Sequence, residues 1–308
     1  MKTGLTYSQQ IKDEALRLGF SDCGISAAEF LTQDSERLKT WLDNDYNASL
    51  AYMENHFEMR TDPRKLVENA KSVVSVILNY YPSKQQTDPE APVIAKYAYG
   101  KDYHDVIRDK LKSLLSFSAE LIPGCEGRVF VDSAPVMEHA WASRAGMGWI
   151  GKNSLLITSK FGSFVFIGEM ILTAELEYDK PVNDMCGSCR NCITSCPTGA
   201  IVDERVVDAG KCISYHTIEN KTSEIPESFK NSFKNRVFGC DICQDVCPWN
   251  RKLSAHSISE FNPHPDLLTM SKKDWQLMDF DKFNMLFKGS AVKRAKFEGL
   301  KRNLNFLK

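Results

Sequence analysis

The sequence predicts a fold of mixed helices and strands, of the α/β or α+β class, over about its first 175 residues. Residues 7–19 carry apolar side chains at helical spacing, whereas residues 72–80 (SVVSVILNY) form an uninterrupted β-branched run that is typical of a buried strand. Strands and helices alternate in this way up to about residue 175. A cysteine-rich block to about residue 250 and a mostly helical remainder follow.

The predicted elements of the first part follow one another without an internal repeat. The first helix presents Ile11, Ala15 and Leu18 on one side, and turn-forming residues predict a surface loop at 83–92. The other predictions are a short strand at FSDCGIS, a long helix late in IAKYAYGKDYHDVIRDKLKSLLSFSAEL, a strand at 128–132, a helix that begins with Pro135, and two strands in SLLITSKFGSFVFIGEMIL joined by a turn at 160–162.

The composition is that of a globular protein with a sizeable core. The chain has 308 residues, of which 43% are apolar and 26% charged. A net charge of −1 excludes a molecule that is basic all over, so any contact with nucleic acid is expected to be local. The N-terminus has no apolar signal segment, and no run approaches the ~20 apolar residues that cross a bilayer. We therefore expect a cytoplasmic protein.

The ten cysteines are concentrated in one part of the chain. Cys23 and Cys125 stand alone, which is typical of buried structural thiols, and the other eight lie between residues 186 and 247. In a reducing compartment such a concentration calls for a role other than disulfide formation. Eight thiols make two complete sets of four.

The first cysteine run has the full spacing of a bacterial ferredoxin. Cys186, Cys189, Cys192 and Cys196, followed by Pro197, give C-x2-C-x2-C-x3-C-P. Three thiolates two residues apart can hold three corners of one [4Fe–4S] cluster, while the fourth cysteine reaches a second cluster. A zinc site built from CxxC pairs is the alternative, but zinc sites do not require this spacing.

The second run lacks one cysteine, because Val237 occupies the place of its first one. By the crossing rule, the last cysteine of each run binds the cluster of the other run. One corner then stays open, and Cys212, between the runs, is predicted to fill it. The predicted sets are Cys186, Cys189, Cys192 and Cys247 for one cluster and Cys196, Cys212, Cys240 and Cys243 for the other.

Two nucleotide-binding fingerprints near residue 150 are rejected. Residues 146–153 (GMGWIGKN) fit both G-x-G-x-x-G and G-x-x-x-x-G-K. Both fingerprints need a strand before them and a helix after them, whereas here a predicted helix precedes and a strand follows. A tight helix-to-strand turn and a loop that approaches some other large cofactor both stay open.

Asp132 and the Tyr103–His104 pair are the polar candidates of the first part. Asp132 ends the predicted strand 128–132, and ligands collect at the carboxyl ends of strands in open α/β sheets. A carboxyl group there can donate a proton, or it can simply cap the following helix. For Tyr103 and His104, a surface or packing role is more common than a catalytic one.

Several stretches of the chain carry a resemblance to a known family. VDSAPVMEHAWASRAGMGWIGKNSLLI, FGSFVFIGEMIL, CGSCRNCITSCPTGAI, FGCDICQDVCPWN and the last helix, KGSAVKRAKFEGLKRNL, resemble epoxyqueuosine reductases. The resemblance implies an oxidoreductase that reduces epoxyqueuosine to queuosine at the wobble position of tRNA, with cobalamin and two [4Fe–4S] clusters. It also implies a nitroreductase-like α/β cobalamin domain (1–175), a ferredoxin-like two-cluster domain (176–255) and a helical C-terminal segment (256–308).

The resemblance further implies roles for individual residues. Asp132 matches the proposed proton donor of the family, and Tyr103 would lie close to the same pocket. Two departures are expected to matter: Ala98-Tyr99 stands where many relatives have Cys-Trp, and the chain is expected to lack the HEAT-like repeats of longer members. The implied cobalamin contacts are Asp132, Arg60, Ala98, Lys152, Asn153, Ser154 and Ser163.

The implied partners are a tRNA anticodon loop and an external electron donor such as flavodoxin or ferredoxin, with a monomeric chain and no membrane. Residues 288–308 contain seven basic residues and one acid, so one face is expected to dock and the other to meet phosphates. A soluble reductive dehalogenase, which is similar to this family, is the alternative enzyme. A ferredoxin-like electron carrier is the alternative without catalysis, but it leaves most of the chain unexplained.

Overall fold

The structure is a computed structural model that describes residues 5–222 and 224–308. Over these residues the strands are β1 (Asp22–Ala27), β2 (Ser72–Asn79), β3 (Val93–Ile94), β4 (Gly127–Phe130), β5 (Trp149–Ile150), β6 (Leu156–Ile157), β7 (Val165–Leu172), β8 (Ile201–Asp203), β9 (Val206–Val207) and β10 (Arg236–Phe238). The α-helices are α1 (Tyr7–Arg17), α2 (Thr32–Asp43), α3 (Phe57–Thr61), α4 (Tyr103–Leu121), α5 (Glu138–Arg144), α6 (Asn191–Thr194), α7 (Ile242–Asp245), α8 (Pro265–Thr269), α9 (Lys272–Gln276), α10 (Phe280–Leu286) and α11 (Lys296–Phe306). In the part of the chain that is described, no helix is both long enough and apolar enough to span a membrane.

The first half folds around a four-stranded antiparallel sheet with the order β1–β2–β7–β4. β2 is buried along its whole length, as its β-branched run predicted. Its alternate side chains face two cores: Val74 and Val76 pack with α1 and α4, whereas Val73 and Ile77 face α5. Helices therefore cover both faces of the sheet, and the predicted mixture of helices and strands is confirmed.

Two predicted elements beside the sheet are present, but one predicted bound of each is wrong. The strand predicted at 128–132 ends at Phe130, and the helix predicted from Pro135 begins at Glu138. Asp132 adopts a left-handed φ of 54°, and its backbone N–H donates to the Glu138 carboxylate at 2.5 Å. Neither a strand nor a helix continues through such a conformation, so the intervening residues form a loop.

The two strands predicted within SLLITSKFGSFVFIGEMIL do not form a hairpin of one sheet. β6 pairs with β5, whereas β7 lies between β2 and β4. An isolated bridge between Thr158 and Gly162 closes the predicted turn. Upstream, the glycine-rich residues lead from α5 into β5, which is the helix-to-strand order on which the nucleotide fingerprints are rejected. A Cβ atom at Gly148 would collide with the carbonyl oxygen of Ile157, so this turn needs glycine.

A second core joins the C-terminal helices to the middle of the chain. β10 pairs in parallel with β3, and Ile94 and Val237 pack with Trp275 and Leu300. All four side chains are fully buried. This core crosses the predicted domain limits at residues 175 and 255, and those limits stay a prediction.

The C-terminal tail docks through the apolar face that its spacing predicts. Leu300 and Leu304 are buried in the second core. Some of its basic residues are occupied inside the protein rather than free for phosphates. Arg302 donates hydrogen bonds of 2.7–2.8 Å to three backbone carbonyl oxygens, those of His216, Asn220 and Thr222. Lys288 and Lys296 are exposed and stay candidates for phosphate contact.

Candidate active site and metal centres

Asp132 lies in the loop after β4, and its partly exposed carboxylate marks the region that is called the recess below. Its side chain is 42% exposed. The protein atoms around it oppose ionisation of the carboxyl, but the polar neighbours described below outweigh this effect. The left-handed φ of 54° is a strained conformation for a residue other than glycine, and such strain is concentrated at functional sites. The hydrogen bond between its N–H and Glu138 holds the loop in this conformation.

His104 connects Asp132 to a second carboxylate. Nε2 of His104 lies 2.9 Å from Oδ2 of Asp132, and Nδ1 lies 2.6 Å from Oδ1 of Asp102. Asp102 also caps α4, because its carboxylate accepts a hydrogen bond of 3.1 Å from the backbone N–H of His104. The three side chains form a continuous Asp–His–Asp row at the start of α4.

The row shifts the pKa values of its members in opposite directions. Burial disfavours a charged His104 ring, but the hydrogen bonds to Asp102 and Asp132 outweigh it and raise the pKa of His104 to about 9. Burial also opposes ionisation of Asp132, but His104 and Tyr103 lower the pKa of its carboxyl below the usual value. Near neutral pH the ring is therefore protonated and Asp132 is ionised.

Aromatic and cationic side chains surround the row. Tyr103 stacks between His104 and Phe166, with ring centroids 4.2 Å from each. Burial raises the pKa of Tyr103, so the phenol stays a neutral hydrogen-bond donor. The guanidinium of Arg294, which is 46% exposed, lies 3.8 Å from the Asp132 carboxylate. The recess thus has a rigid aromatic wall and a cation at its edge.

A second acid adjoins Asp132. Burial raises the pKa of Glu138 to about 8, although the hydrogen bond from the Asp132 N–H opposes this rise. Glu138 is therefore mostly neutral at pH 7. The recess combines an ionised carboxylate, a neutral carboxyl and a protonated imidazole, an arrangement that suits proton transfer to a bound molecule.

Three of the predicted cobalamin contacts carry buried polar atoms that lack a hydrogen-bond partner among the residues described. They are Nε of Arg60, Nδ2 of Asn153 and Oγ of Ser154. A buried polar atom without a partner is costly, so such atoms mark places where a bound molecule can supply the missing hydrogen bond.

Two of these residues lie near the recess. Arg60 donates to the carbonyl oxygen of Tyr52 at 2.9 Å, and the charge of Asp132 reaches the Tyr52 phenol. The backbone of Ser154 hydrogen-bonds to His139. The surrounding protein atoms lower the pKa of His139, and the charge of Asp132 opposes this. The turn between β5 and β6 and the segment with Tyr52 and Arg60 therefore approach the surroundings of Asp132 from different parts of the chain.

Lys152 and Asn153 face the first cysteine run. Nζ of Lys152 lies 2.7 Å from the carbonyl oxygen of Gly187 and 2.8 Å from the Glu204 carboxylate. Both residues line a cavity that this cysteine run also lines. Lys152 thus supports the loop of the first run, and its role as a cobalamin contact stays a prediction.

Ser163 and Ala98 are engaged by other parts of the protein. The buried Ser163 hydroxyl donates to Gln244 at 3.0 Å and accepts from Asn250 at 2.9 Å. The Ala98 side chain is buried in the C-terminal core, and its carbonyl oxygen accepts a hydrogen bond from Ser290. Their predicted contacts with a cofactor stay untested.

The four thiols predicted for one cluster surround a single cavity. Cys186, Cys189, Cys192 and Cys247 line about 240 Å³, together with apolar walls that include Trp249. Burial raises the pKa of Cys247, and the neighbouring thiols of Cys186 and Cys189 add to the rise. A cavity of this size with four thiols fits an iron–sulfur cluster.

The thiols predicted for the other cluster are also neighbours. Burial raises the pKa of Cys240 to about 12, with a contribution from Cys212. Burial also raises the pKa of Cys243, and the charges of Cys240 and Cys212 add to it. The charge of Cys196 in turn contributes to a raised pKa of Cys212. The fold therefore places Cys212 near Cys196, Cys240 and Cys243, and its role as a cluster ligand stays a prediction.

Across residues 5–222 and 224–308, no three or more His, Cys, Asp or Glu side chains converge closely enough to hold one metal ion.

Tyr97 lies between the second set of thiols and the recess. Its ring centroid is 6.3 Å from that of Tyr103. Gly239, next to Cys240, approaches the same ring so closely that a Cβ atom there would lie 3.3 Å from it. The set that contains Cys240 is therefore adjacent to the wall of the recess.

Sequence patterns reveal only part of the recess. Asp102 and His104 flank Tyr103 at a predicted helix start, and an aspartate that caps a helix can reach a histidine two residues on. Glu138 and Arg294 give no local signal, because the loop after β4 and the C-terminal tail meet Asp132 only in the folded chain.

Comparisons with known proteins agree with these features. Residues 60–133 match the family model described as Epoxyqueuosine reductase QueG, DUF1730, and residues 185–250 match the 4Fe-4S double cluster binding domain. The chain is 56% identical to an epoxyqueuosine reductase of Cellulophaga algicola over 308 residues, which is the full length of both.

Solved structures give the same result. A crystal structure of epoxyqueuosine reductase with a tRNA-Tyr epoxyqueuosine-modified stem loop aligns with a TM-score of 0.89 and 31% identity, over 97% of this chain and 80% of that one. The Bacillus subtilis enzyme, solved with the catalytic loop of an aspartate swung out of the active site, aligns with a TM-score of 0.87 and 30% identity over the same shares. Fold and cysteine block define an oxidoreductase with a double iron–sulfur domain. The chain belongs to the epoxyqueuosine reductase family, which confirms the resemblance of its motifs.

Proposed function

We propose that this protein reduces epoxyqueuosine to queuosine at the wobble position of tRNA, with cobalamin and with electrons that pass through two [4Fe–4S] clusters. The observation that carries the proposal is one juxtaposition. An ionised and partly exposed carboxylate, Asp132, lies beside Tyr103, and Tyr97 connects Tyr103 to Gly239, next to Cys240 of the second set of four thiols.

A tRNA substrate is supported by the solved relative that holds a modified tRNA stem loop. Bases in single-stranded loops can be turned outward, so a wobble base can enter a recess such as this one. Arg294 offers an exposed cation 3.8 Å from Asp132, and Lys288 and Lys296 are exposed in the same tail. These side chains are the proposed contacts for the RNA.

The eight thiols are the proposed ligands of the two clusters. The set around the cavity lies beside the exposed Met185, in a mostly exposed segment at residues 183–190. The set with Cys240 lies against Tyr97, towards the recess. We assign the exposed set to the entry of electrons from a donor such as flavodoxin or ferredoxin, and the inner set to their delivery.

The residues around the recess fit a cobalamin. The unpartnered polar atoms of Arg60 and Ser154 near the recess, and that of Asn153 at the cavity of the first cysteine run, would hold its polar periphery. Asp132 and Tyr103 would face the reacting side. When bound, cobalamin supplies a strongly reducing cobalt centre that can open an epoxide.

Because the Asp132 carboxylate is ionised at rest, it has to take up a proton before it delivers one to the departing epoxide oxygen. Contacts with His104, Arg294 and the Glu138 carboxyl hold the Asp132 loop in its present conformation. The swung-out catalytic loop of the Bacillus subtilis relative indicates that such a loop can also open. Tyr103, fixed by stacking on Phe166, orients the carboxylate with its phenol.

The test is the conversion of epoxyqueuosine in purified tRNA, with cobalamin present and omitted, by anaerobically prepared protein that contains both clusters. We expect nucleoside analysis to show queuosine with cobalamin and none without it. Failure to convert the nucleoside in tRNA would remove the proposed activity. Equal conversion without cobalamin, or no change of the cobalamin spectrum on mixing, would remove the cofactor from the proposal.

A further inference from the structure

His104 is held more rigidly than a surface histidine. Its ring stacks on Tyr103, which itself stacks on Phe166 of β7 at an interplanar angle of 5°. Both ring nitrogens are engaged, Nδ1 by Asp102 at 2.6 Å and Nε2 by Asp132 at 2.9 Å. The ring is 18% exposed, so water reaches one part of it.

The proposed reaction consumes more protons than Asp132 can hold. Reduction of an epoxide to an alkene takes two electrons and two protons, breaks both C–O bonds and releases the oxygen as water. The electrons come from the external donor through the clusters. One carboxylate carries at most one proton, so a neighbouring group has to reload it during each turnover.

We propose that His104 stores the proton that Asp132 transfers and reloads Asp132 within each reaction cycle, an inference that rests on the proposed function. In each of two transfers, the Nε2–H bond of His104 breaks, Oδ2 of Asp132 takes that proton, and Asp132 passes its proton to the substrate oxygen. The neutral ring keeps the proton on Nδ1, where it is hydrogen-bonded to Asp102, and takes a new proton at Nε2 from water. His104 acts through Asp132 and is a positioning and relay residue.

The charges around the ring keep it loaded with a proton between transfers. His104 faces Asp102 on α4 and Asp132 on the loop after β4, while Arg294 from the tail and Glu138 from α5 act on Asp132. The carboxylates of Asp102 and Asp132 outweigh the effect of burial and raise the pKa of His104 to about 9, so the ring carries its second proton at pH 7.

Glu138 is the competing proton store, since its pKa is raised to about 8. Its carboxylate oxygen accepts the backbone N–H of Asp132, whereas the bond from His104 goes to the Asp132 side chain. The direct route for a proton to the Asp132 carboxylate therefore starts at His104, whereas Glu138 has a structural role.

The first test needs no cofactor and no activity. Heteronuclear NMR of labelled histidine rings in the cobalamin-free protein, assigned by the signal lost in His104→Gln, should show a ring that titrates near pH 9. Asp102→Asn should move this titration to lower pH, while asparagine still caps α4. A ring that titrates below pH 7 in the parent protein, or one that Asp102→Asn leaves unmoved, would overturn the relay.

The second test is the pH dependence of the conversion of epoxyqueuosine in tRNA. The parent rate should fall above about pH 9, Asp102→Asn should shift this fall to lower pH, and His104→Gln should lower the rate roughly 100-fold or more. His264→Gln, which removes another histidine beside an aspartate at a helix start, is the matched control and should keep the parent profile.

The two proposals fail in different ways. If the parent converts no epoxyqueuosine, the proposed function fails, while the NMR titration still reports on the row. If the parent is active and His104→Gln keeps its rate and pH profile, the relay alone is wrong. A loss in Glu138→Gln that equals the loss in His104→Gln, together with an unshifted Asp102→Asn profile, would assign the store to Glu138.

Discussion

Among single residues, Cys212 shows what a spacing pattern cannot predict. The ferredoxin spacing marks seven of the eight thiols, but no motif surrounds Cys212, which only the count of thiols singles out. Its neighbours in the folded chain are Cys196, Cys240 and Cys243, from both runs. Its role as a ligand stays a prediction, and it can be tested separately from catalysis.

Replacing Cys212 with alanine should lower the iron content by about one cluster of two, because three thiols leave one corner of the cluster open. Iron analysis and the visible spectrum of anaerobically purified protein measure the loss. Cys125→Ala is the control, since this thiol is buried outside the cysteine block. Unchanged iron in the Cys212 variant would mean that another group fills the corner.

The charge state of Asp132 could not be predicted from the sequence, although its position could. A carboxylate after a strand is a local feature, and the resemblance pointed to the same residue. Its ionisation depends on His104 from α4 and Arg294 from the tail, which no local pattern brings together. In the proposed relay, the stored proton lies on His104, 2.9 Å from the carboxylate that hands it over.

Among the elements, the turn before β7 links the sheet to the second cysteine run. The N–H of Ser163 donates to Oδ1 of Asn250 at 2.8 Å, three residues after Cys247. Gly162 has a φ of 58°, and a Cβ atom there would collide with the same oxygen. The turn needs glycine for two independent reasons, its backbone conformation and its contact.

Gly162→Ala should destabilise the protein by more than the ~1–2 kcal/mol that a left-handed alanine costs, because Asn250 has to move as well. Gly124→Ala is the matched control, since Gly124 has a φ of 75° but a Cβ atom added there would meet nothing within 4 Å among the described residues. Thermal unfolding of both variants at equal iron content gives the comparison. Equal decreases in Tm would show that the contact with Asn250 contributes nothing.

The elements that the sequence predicts well are those with a local pattern. α1 and β2 follow from the spacing of their own apolar residues. The pairing of β6 with β5 does not follow, because the alternation of side chains leaves the partner strand undetermined. The loop after β4 is likewise set by a distant contact, the bond between Asp132 and Glu138.

In the whole molecule, the C-terminal core supports the second cysteine run. Val237 stands where the ferredoxin pattern has its first cysteine, and it is fully buried with Trp275. Residue 237 therefore packs in the core and does not bind a cluster. This gives a physical reason why the fourth ligand of the second set is predicted to come from elsewhere in the chain. Cys240 follows three residues later, so the core and the second set of thiols depend on each other.

Trp275→Ala should destabilise the protein by about 3–5 kcal/mol and should also lower the iron content, because β10 loses its support. Leu277→Ala, two residues away and 66% exposed, should change the stability by no more than about 0.5 kcal/mol. Thermal unfolding and iron analysis of the two variants measure both effects. Full iron content in a destabilised Trp275 variant would show that the core and the clusters are independent.

The function proposed for the whole molecule requires that epoxyqueuosine is reduced in the recess at Asp132. The decisive measurement compares the rate of queuosine formation in tRNA by the parent and by Asp132→Asn, with cobalamin bound and with equal iron content. We expect the variant to be slower by roughly 100-fold or more, because the amide cannot hand over a proton. A variant that converts epoxyqueuosine at the parent rate would show that the proton comes from another group.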